Sequence, residues 1–361
     1  MVFVVGLMFH GTAPFASLFV ALHHNTTLPE HAESTSEQAV HHDDRYSYGA
    51  KDFSCIFFYT LICVIIHAVI QEYLLDKVNR KLHLSKINHR KFNESGQLLI
   101  FYVVSALWGG NIIMKEKLIP GISHLWEGYP THHAAMTFTY KFFFVSQVAY
   151  YLHQFPELYF QKVKREDLMN KITVSLVSLF LVVGAYLLCF TRVALCLLVP
   201  HYAVECVFHV ARILHFAEQH KAARYAFGAW DVLFVAIRLL TVVLSVLTFW
   251  YGLALAPNQG IDIVRGNFNT PLIRLNTLLV VCLLQAWLMW NFFTFHLKRM
   301  RERAAVQAAT TAKRRQTEKK SKKDHENGKR TSDDDVSELP EADQYSKKEP
   351  ALRQRPTARV K

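Results

Sequence analysis

The sequence predicts an all-α protein, a polytopic bundle of about eight membrane-spanning helices followed by a disordered basic C-terminal tail. The 361-residue chain is 51% hydrophobic, and its apolar residues come in long runs rather than at amphipathic spacing. The loops between those runs differ in their content of lysine and arginine. From Lys298 onward, polar and charged residues replace the apolar ones. These three observations predict the fold class, the orientation and the extent of the membrane domain.

The apolar runs are long enough to cross a bilayer. A hydrocarbon core about 30 Å thick needs about 20 apolar residues per helix. Runs without alternation of apolar and polar residues exclude a transmembrane β-barrel. The predicted spans are Val2–Leu22, Phe53–Leu75, Gln97–Met114, Ala134–Phe160, Ile172–Phe190, Val193–Phe216, Trp230–Leu255 and Leu272–Leu297.

The first predicted span, Val2–Leu22, starts directly after Met1 without a basic flank. A cleaved signal peptide is the alternative, although such a peptide normally begins with a charged segment. We favour a membrane span whose upstream segment is missing from this chain. The fifth and sixth spans are separated only by Thr191 and Arg192, which predicts a tight antiparallel hairpin.

Loop charge predicts the orientation of the bundle. The loops after the second, fourth and sixth spans are richer in basic residues than the other loops. The positive-inside rule assigns the richer set to the cytosol. An even number of spans then leaves both termini cytosolic. The basic residues of these loops are Lys77, Arg80, Lys81, Lys86, Arg90, Lys91, Lys162, Lys164, Arg165, Lys171, Arg212, Lys221 and Arg224.

Two glycosylation sequons occur in the chain. Asn25-Thr-Thr lies in the first loop, which the charge rule assigns to the luminal side, so Asn25 is a predicted glycosylation site. Asn93-Glu-Ser lies in a predicted cytosolic loop and should stay unmodified.

Polar residues inside the spans form a predicted intramembrane polar seam. Such side chains are costly in lipid and should face the bundle interior. Along the sixth span, His201, Glu205 and His209 repeat every four residues. A structural seam is the favoured interpretation of this stripe, and a lipid-headgroup site or a metal or catalytic site remains an alternative. The predicted seam consists of His67, Gln71, Lys141, Gln147, His201, Glu205, His209, Asp231 and Arg238.

The second span does not match a metalloprotease helix. His67 and Gln71 lie four residues apart, but zinc protease chemistry needs two histidines at that spacing. The metalloprotease hypothesis is therefore rejected, and the favoured interpretation of the sequence includes no metal ligand, catalytic residue or cofactor site.

The C-terminal segment, residues 298–361, is too polar to bury a core and is predicted to be disordered. Its basic run, Lys313–Lys323, suits contact with anionic lipid or ribosomal RNA, and a solvated stop-transfer tail is the simpler interpretation. Ser332 precedes three aspartates and is a candidate for phosphorylation by an acidophilic kinase. The predicted domains are 1–52, the first span and a glycosylated luminal loop; 53–297, the multi-span domain; and 298–361, the tail.

Several strings carry a family resemblance. The segment Lys141–Leu168, KFFFVSQVAYYLHQFPELYFQKVKREDL, is an aromatic helix that ends in a cluster of charges. Together with HAVIQEYLLDK (67–77), KFNESGQL (91–98), RLLTVVLSVLT (238–248) and GNFN (266–269), it resembles the translocating chain-associating membrane (TRAM) proteins. The likeness covers the chain up to its tail.

The resemblance implies a multi-pass protein of the endoplasmic reticulum membrane whose 53–297 region is a TLC-type domain. TRAM proteins lie beside the Sec protein-conducting channel and contact signal sequences and transmembrane segments of nascent polypeptide chains. Membrane lipids are further implied partners. Asn25 lies where the family carries its luminal glycan.

The TLC domain is shared with ceramide synthases, which supplies a rival hypothesis: a lipid-binding or lipid-modifying protein. In those enzymes a basic rim precedes a span with paired histidines. Here the rim is KRED (164–167), and the paired positions fall at Val174 and Ser175. The later His-Asp pair would read His201 and Tyr202. One histidine of the set, His201, is present and its acidic neighbour is not. Acyl transfer needs acid–base groups within hydrogen-bond reach, and most of that set is absent, so we predict a protein that is not an enzyme. A channel or transporter is a third alternative, but no inverted repeat supports it.

Overall fold

The structure, a computed structural model, describes residues 6–26, 45–161 and 165–327. The chain divides into two units, Met1–Phe293 and Thr294–Lys361. Its helices are α1 (Ala13–Val20), α2 (Asp52–Leu82), α3 (Lys86–Lys115), α4 (Thr131–Ala134), α5 (Phe138–Phe160), α6 (Arg165–Leu187), α7 (Thr191–Phe216), α8 (His220–Leu255) and α9 (Pro271–Asn327). Its strands are β1 (Asn25–Thr26), β2 (Arg45–Tyr46), β3 (Met136–Thr137), β4 (Gly260–Asp262) and β5 (Asn267–Asn269).

Long apolar helices dominate, which confirms the predicted all-α membrane bundle. Over the described residues, six helices are long and apolar enough to cross a membrane. They belong to α2, α3, α6, α7, α8 and α9. Along α2 a stripe of large side chains is exposed, as expected for a lipid-facing surface. This α2 stripe consists of Phe53, Phe57, Leu61, Ile65 and Val69.

Helix α5 corresponds to the fourth predicted span and is the most shielded of the long helices. At 23 residues it is about 35 Å long, which is enough to cross the bilayer. Its buried polar side chains include Lys141, Gln147 and His153, which the bundle can hold because much of the α5 surface faces protein rather than lipid. The predicted start at Ala134 was wrong: Thr131–Ala134 forms the short α4, β3 follows, and α5 begins at Phe138.

The first predicted span, Val2–Leu22, was wrong as one continuous helix over its described part, residues 6–22. A turn at residues 9–12 precedes α1. With 8 residues, α1 is about 12 Å long and too short to cross the hydrocarbon core. Its end packs on α2, where the Tyr59 hydroxyl donates a hydrogen bond to the Val20 carbonyl at 3.0 Å.

The predicted hairpin between the fifth and sixth spans is present. Three residues, Leu188–Phe190, connect α6 to α7, and Cys189 adopts a left-handed conformation with φ 56°. Tyr129, from the loop before α4, fixes this turn. Its hydroxyl donates to the Leu188 carbonyl at 3.1 Å and accepts from the Phe268 amide at 3.0 Å. One phenol thus joins the hairpin to β5.

A small antiparallel sheet closes the same end of the bundle. The strand order is β1-β2-β3, with Asn25 opposite Tyr46 and Arg45 opposite Thr137. The sheet fixes the segments before α2 against the start of α5. Strands β4 and β5 form a separate two-stranded hairpin between α8 and α9.

A buried ion pair lies beneath the sheet. Lys141 Nζ lies 2.7 Å from Asp52 Oδ1, and both residues are almost inaccessible. The same ammonium donates to the carbonyls of His23 and Ser47, each at 2.7 Å. All three donors of the lysine therefore have partners. Asp52 Oδ2 accepts from the Tyr186 hydroxyl at 2.8 Å, which extends the network to α6.

The segment after Lys298, predicted as a disordered tail, begins as a helix. The polar sequence after Lys298 continues α9 as far as Asn327 because its alanine, arginine and glutamate residues favour helix. Lys298 therefore marks a change of composition within a helix rather than a helix end. Residues 328–361 lie outside the described part of the chain.

We expect the buried ion pair to dominate the stability of this end of the bundle. Asp52→Ala leaves the Lys141 charge buried and unpaired, and should lower the free energy of unfolding by about 3–5 kcal/mol. Thermal unfolding of the purified protein in nanodiscs measures the change. The double variant Asp52→Ala/Lys141→Met should lose less free energy of unfolding than the two single variants, Asp52→Ala and Lys141→Met, lose in sum.

A matched control is the half-buried pair Lys171–Glu94, which is far more accessible than the Lys141–Asp52 pair and whose charged atoms lie 2.8 Å apart. Lys171→Met should cost at most about 1 kcal/mol because solvent screens the pair. Equal losses of unfolding free energy in Asp52→Ala and Lys171→Met would contradict the structural role of the buried pair.

Two adjacent glycines of α3 test how closely it packs on α7. A Cβ at Gly109 would lie 2.5 Å from Val199 Cγ2, whereas nothing lies within 4 Å of one at Gly110. Close approach of membrane helices at small residues explains this glycine. Gly109→Val should destabilise the protein by about 1–3 kcal/mol through overpacking. Gly110→Val should stay within about 0.5 kcal/mol of the wild type, as measured by the same unfolding assay. Equal melting temperatures for the two variants would disprove the close contact.

Candidate functional site

An apolar cavity lies among α6, α7, α8 and α9. Its volume is ≈ 620 Å³, and aliphatic side chains form most of its wall. Pockets of this size and character suit acyl chains or apolar side chains. Wall residues include Val177, Leu181, Leu197, Leu198, Val280 and Leu284.

One polar cluster interrupts the apolar wall. Arg238 Nη1 donates to Gln285 Oε1 at 3.1 Å, and Nη2 donates to His201 Nδ1 at 2.7 Å. His201 Nδ1 also lies 3.8 Å from Glu205 Oε1. Because His201 and Glu205 are four residues apart, α7 presents them on one face. Helices α7, α8 and α9 each contribute to this cluster.

Arg238 has spare hydrogen-bonding capacity in a buried position. It is 3% exposed, and its guanidinium carbon lies 4.9 Å from the centre of the Phe234 ring. Among the described residues, its Nε has no hydrogen-bond partner. A buried donor left unpaired costs free energy, and an oxygen atom of a ligand would satisfy it.

The predicted stripe on α7 divides between two environments. His201 and Glu205 line the apolar cavity, but His209 does not. The His209 ring stacks on Tyr102 with centroids 5.5 Å apart and is 3% exposed. The stripe turns slowly around the helix because four residues exceed one helical turn of 3.6. It is therefore not a single site.

Gln147 joins a different polar group in the centre of the bundle. It donates to Ser105 Oγ at 2.9 Å and accepts from the Tyr202 hydroxyl at 2.9 Å. The hydroxyls of Tyr151 and Tyr202 lie 3.1 Å apart. These bonds connect α3, α5 and α7 through paired neutral groups.

The remaining seam residues lie in separate places. Lys141 belongs to the ion pair described above. Asp231 is half-buried on α8, two turns from Arg238, whose side-chain partners are His201 and Gln285. Gln71 donates to Asp76 Oδ1 at 3.3 Å. The nine residues predicted as one seam thus occupy several clusters, and a functional role for them remains a prediction.

A second cavity, which is polar, lies toward the end of the bundle where α2 meets α3. Its volume is ≈ 700 Å³. Its wall combines His67 with two residues of α5 that the predicted seam omits, His153 and Glu157. Their spacing of four residues on one helix was a signal available in the sequence. Further wall residues are Gln71, Asp76, His89, Arg90, Lys171 and Arg212.

The two sequons differ in exposure. Asn25 is exposed in β1, and its glycosylation remains a prediction. Asn93 is 5% exposed, and its amide donates to Asp76 Oδ1 at 2.7 Å. The fold leaves no room for a glycan on Asn93. Ser332 lies outside the described residues.

The positions that correspond to paired histidines in ceramide synthases carry no titratable group. Val174 is 48% exposed and lies in the wall of the apolar cavity. Ser175 is 5% exposed and donates to Gln154 Oε1 at 2.6 Å. A second titratable group beside His201 comes instead from Glu205, one turn further along α7.

Comparison with known proteins identifies the family. The TLC domain model matches residues 91–294, which include most of α3, all of α4–α8 and the first part of α9. Translocating chain-associated membrane protein 2 of Mus musculus is 44% identical over 306 residues, 85% of this chain and 80% of that protein. The chain belongs to the translocating chain-associated membrane protein family. The human protein of the same name is 42% identical over the same share of both chains.

More distant TLC-domain relatives include proteins named as acyltransferases. A sphingosine N-acyltransferase-like protein of Alternaria alternata is 25% identical over 182 residues, 50% of this chain and 41% of that protein. Membership of the translocating chain-associated membrane protein family confirms the resemblance predicted from the strings in α5 and its neighbours.

Proposed function

We propose that this protein is an accessory of the Sec translocation channel in the endoplasmic reticulum membrane. It contacts signal sequences and transmembrane segments of nascent chains and assists their insertion or translocation. It does so without catalysing a reaction. The observation that carries the proposal is the 44% identity, over 80% of its length, to a relative named for association with translocating chains.

The outward surface supports this role. A nascent apolar segment in the membrane gains by packing on a neighbouring helix, and the α2 stripe offers five large exposed side chains at four-residue spacing. A signal sequence carries an apolar stretch of about 7–15 residues, which is shorter than the stripe when helical. The proposed contact is therefore helix against helix along α2.

Site-specific photocrosslinking tests the contact. A photoreactive residue placed at Leu61 should form an adduct with the apolar stretch of a stalled secretory nascent chain in microsomes. The matched control places the probe at Val148, which is 5% exposed within α5 and should give no adduct. Absence of adducts at Leu61 across a panel of weak signals would disprove the contact.

A second candidate function is lipid binding in the apolar cavity. The observation that favours it is the unpaired Nε of Arg238 beside an apolar wall, which together suit a phosphate head group and an acyl chain. The TLC-domain relatives are compatible with such a pocket. This function could coexist with the first, because the cavity and the α2 stripe use different helices.

Native mass spectrometry tests for the lipid. Protein released from nanodiscs of mixed anionic and zwitterionic phospholipids should retain an anionic lipid. In Arg238→Met, the fraction of protein that retains this lipid should fall at least tenfold. Arg212→Met is the matched control, since Arg212 lies on neighbouring α7 but outside the wall of the apolar cavity. Equal lipid retention by all three proteins would exclude a specific head-group site at Arg238.

A further inference from the structure

The polar cavity contains a cluster of three side chains with metal-ligand chemistry. His67 comes from α2, and His153 and Glu157 come from α5. Each offers one ligand atom, and these atoms all lie within 4.8 Å of one another. His153 Nε2 lies 3.2 Å from Glu157 Oε2, and His67 Nε2 contacts Glu157 Oε1. Two imidazoles and a carboxylate are a ligand set found in catalytic zinc sites.

The helices hold these ligands in place. His153 and Glu157 are four residues apart, and α5 presents them on one face, one above the other. His67 is presented by α2, just before the π-helical turn Ile70–Leu75. Such turns inside α-helices occur frequently at functional sites. Gln97 of α3 donates to the His67 carbonyl at 2.9 Å and so fixes the backbone there.

A hydrogen bond from outside the cluster orients His153. Its Nδ1 contacts the carbonyl of Tyr150, one turn earlier in α5. A carbonyl oxygen only accepts, so Nδ1 must carry the proton, and in the neutral ring Nε2 then presents a lone pair. Metal-bound histidines commonly donate their other ring nitrogen to a carbonyl in this way.

This arrangement needs a positive charge among the three groups. With Nδ1 on the Tyr150 carbonyl, the Nε2 lone pair of His153 faces the carboxylate of Glu157 at 3.2 Å, which is repulsive. His153 is 2% exposed, so water screens the contact little. A cation bound between the two imidazoles and the carboxylate removes the repulsion. The convergence of His67 on the same carboxylate favours a cation that all three groups can share.

Geometry and access also suit a metal ion. Zinc binds imidazole nitrogen and carboxylate oxygen at about 2.0–2.2 Å, which separates tetrahedral ligand atoms by about 3.4 Å. The observed spacing needs only small side-chain rotations to reach that value. The cavity volume of ≈ 700 Å³ gives an ion a route to the cluster. Nitrogen ligands disfavour magnesium and calcium, which prefer oxygen.

We propose that His67, His153 and Glu157 form a zinc site between α2 and α5. Three protein ligands leave the fourth position of the ion open toward the polar cavity. The site is separate from the apolar cavity and does not depend on the proposed translocation function. It joins α2 to the helix that carries Lys141, and bound zinc therefore stabilises this contact.

Metal binding to the purified full-length chain in nanodiscs tests the proposal. After metal removal by chelation, titration with Zn²⁺ should show one ion per chain by calorimetry, and zinc should raise the melting temperature. X-ray absorption should show two imidazole nitrogens at about 2.0–2.1 Å. Glu157→Gln and His153→Gln should each weaken binding at least tenfold and remove the thermal shift.

Controls must exclude zinc binding by histidines outside the cluster. The purification tag should contain none, and the variant His41→Ala/His42→Ala removes an adjacent pair in the first loop. His209→Gln is the matched intramembrane control, because His209 is as buried as His153 but lies outside the cluster. Both controls should bind zinc as the wild type does.

Size-exclusion profiles and the melting temperature without zinc show whether each variant is folded. Wild-type affinity in folded Glu157→Gln, loss of binding only in the first-loop variant, or no binding by the wild type would each overturn the proposal. Retained zinc binding with failed photocrosslinking at Leu61 would leave the site standing and reject the translocation function alone.

Discussion

The buried pair of Lys141 and Asp52 is the interaction on which the arrangement of this bundle depends. It joins the first residue of α2 to the first turn of α5, and through Tyr186 to α6. Two backbone carbonyls of the segments before α2 complete the lysine's hydrogen bonds. A charge in this position would be prohibitive without partners. Because every donor is matched, the pair fixes both the helices and the small sheet above them.

Polar chemistry elsewhere in the bundle is arranged in separate groups rather than in one continuous path. Gln147 and the tyrosine hydroxyls form a neutral, fully paired group in the centre. Arg238 and His201 face an apolar wall, while His67, His153 and Glu157 face a polar one. Each group joins at least two helices. Since lipid offers no hydrogen-bond partners, these groups also select which helix faces meet.

Much of the membrane domain could be predicted from the sequence because long apolar runs are a direct consequence of lipid as solvent. The family was accessible too, through the strings around α5. Other features depend on tertiary contacts that no local pattern encodes. The turn at residues 9–12 shortens α1, and Asp52, which looks like a loop residue, is the partner of Lys141. Stripe residues on α7 separate because the helix repeat of 3.6 turns His209 away from His201. His153 and Glu157 had the right spacing, but His67 is 86 residues earlier in sequence than His153, and only the fold brings it to them.

The three-residue turn between α6 and α7 has a consequence for how this protein itself is made. Three residues extend at most about 10 Å, far less than a hydrocarbon core of about 30 Å. Once α6 is in the membrane, the start of α7 must therefore lie within about 10 Å of the end of α6. The two helices must therefore enter the bilayer as one unit, which buries the backbone groups of both at the same moment. This protein thus requires, in its own biogenesis, a pathway that accepts helical pairs.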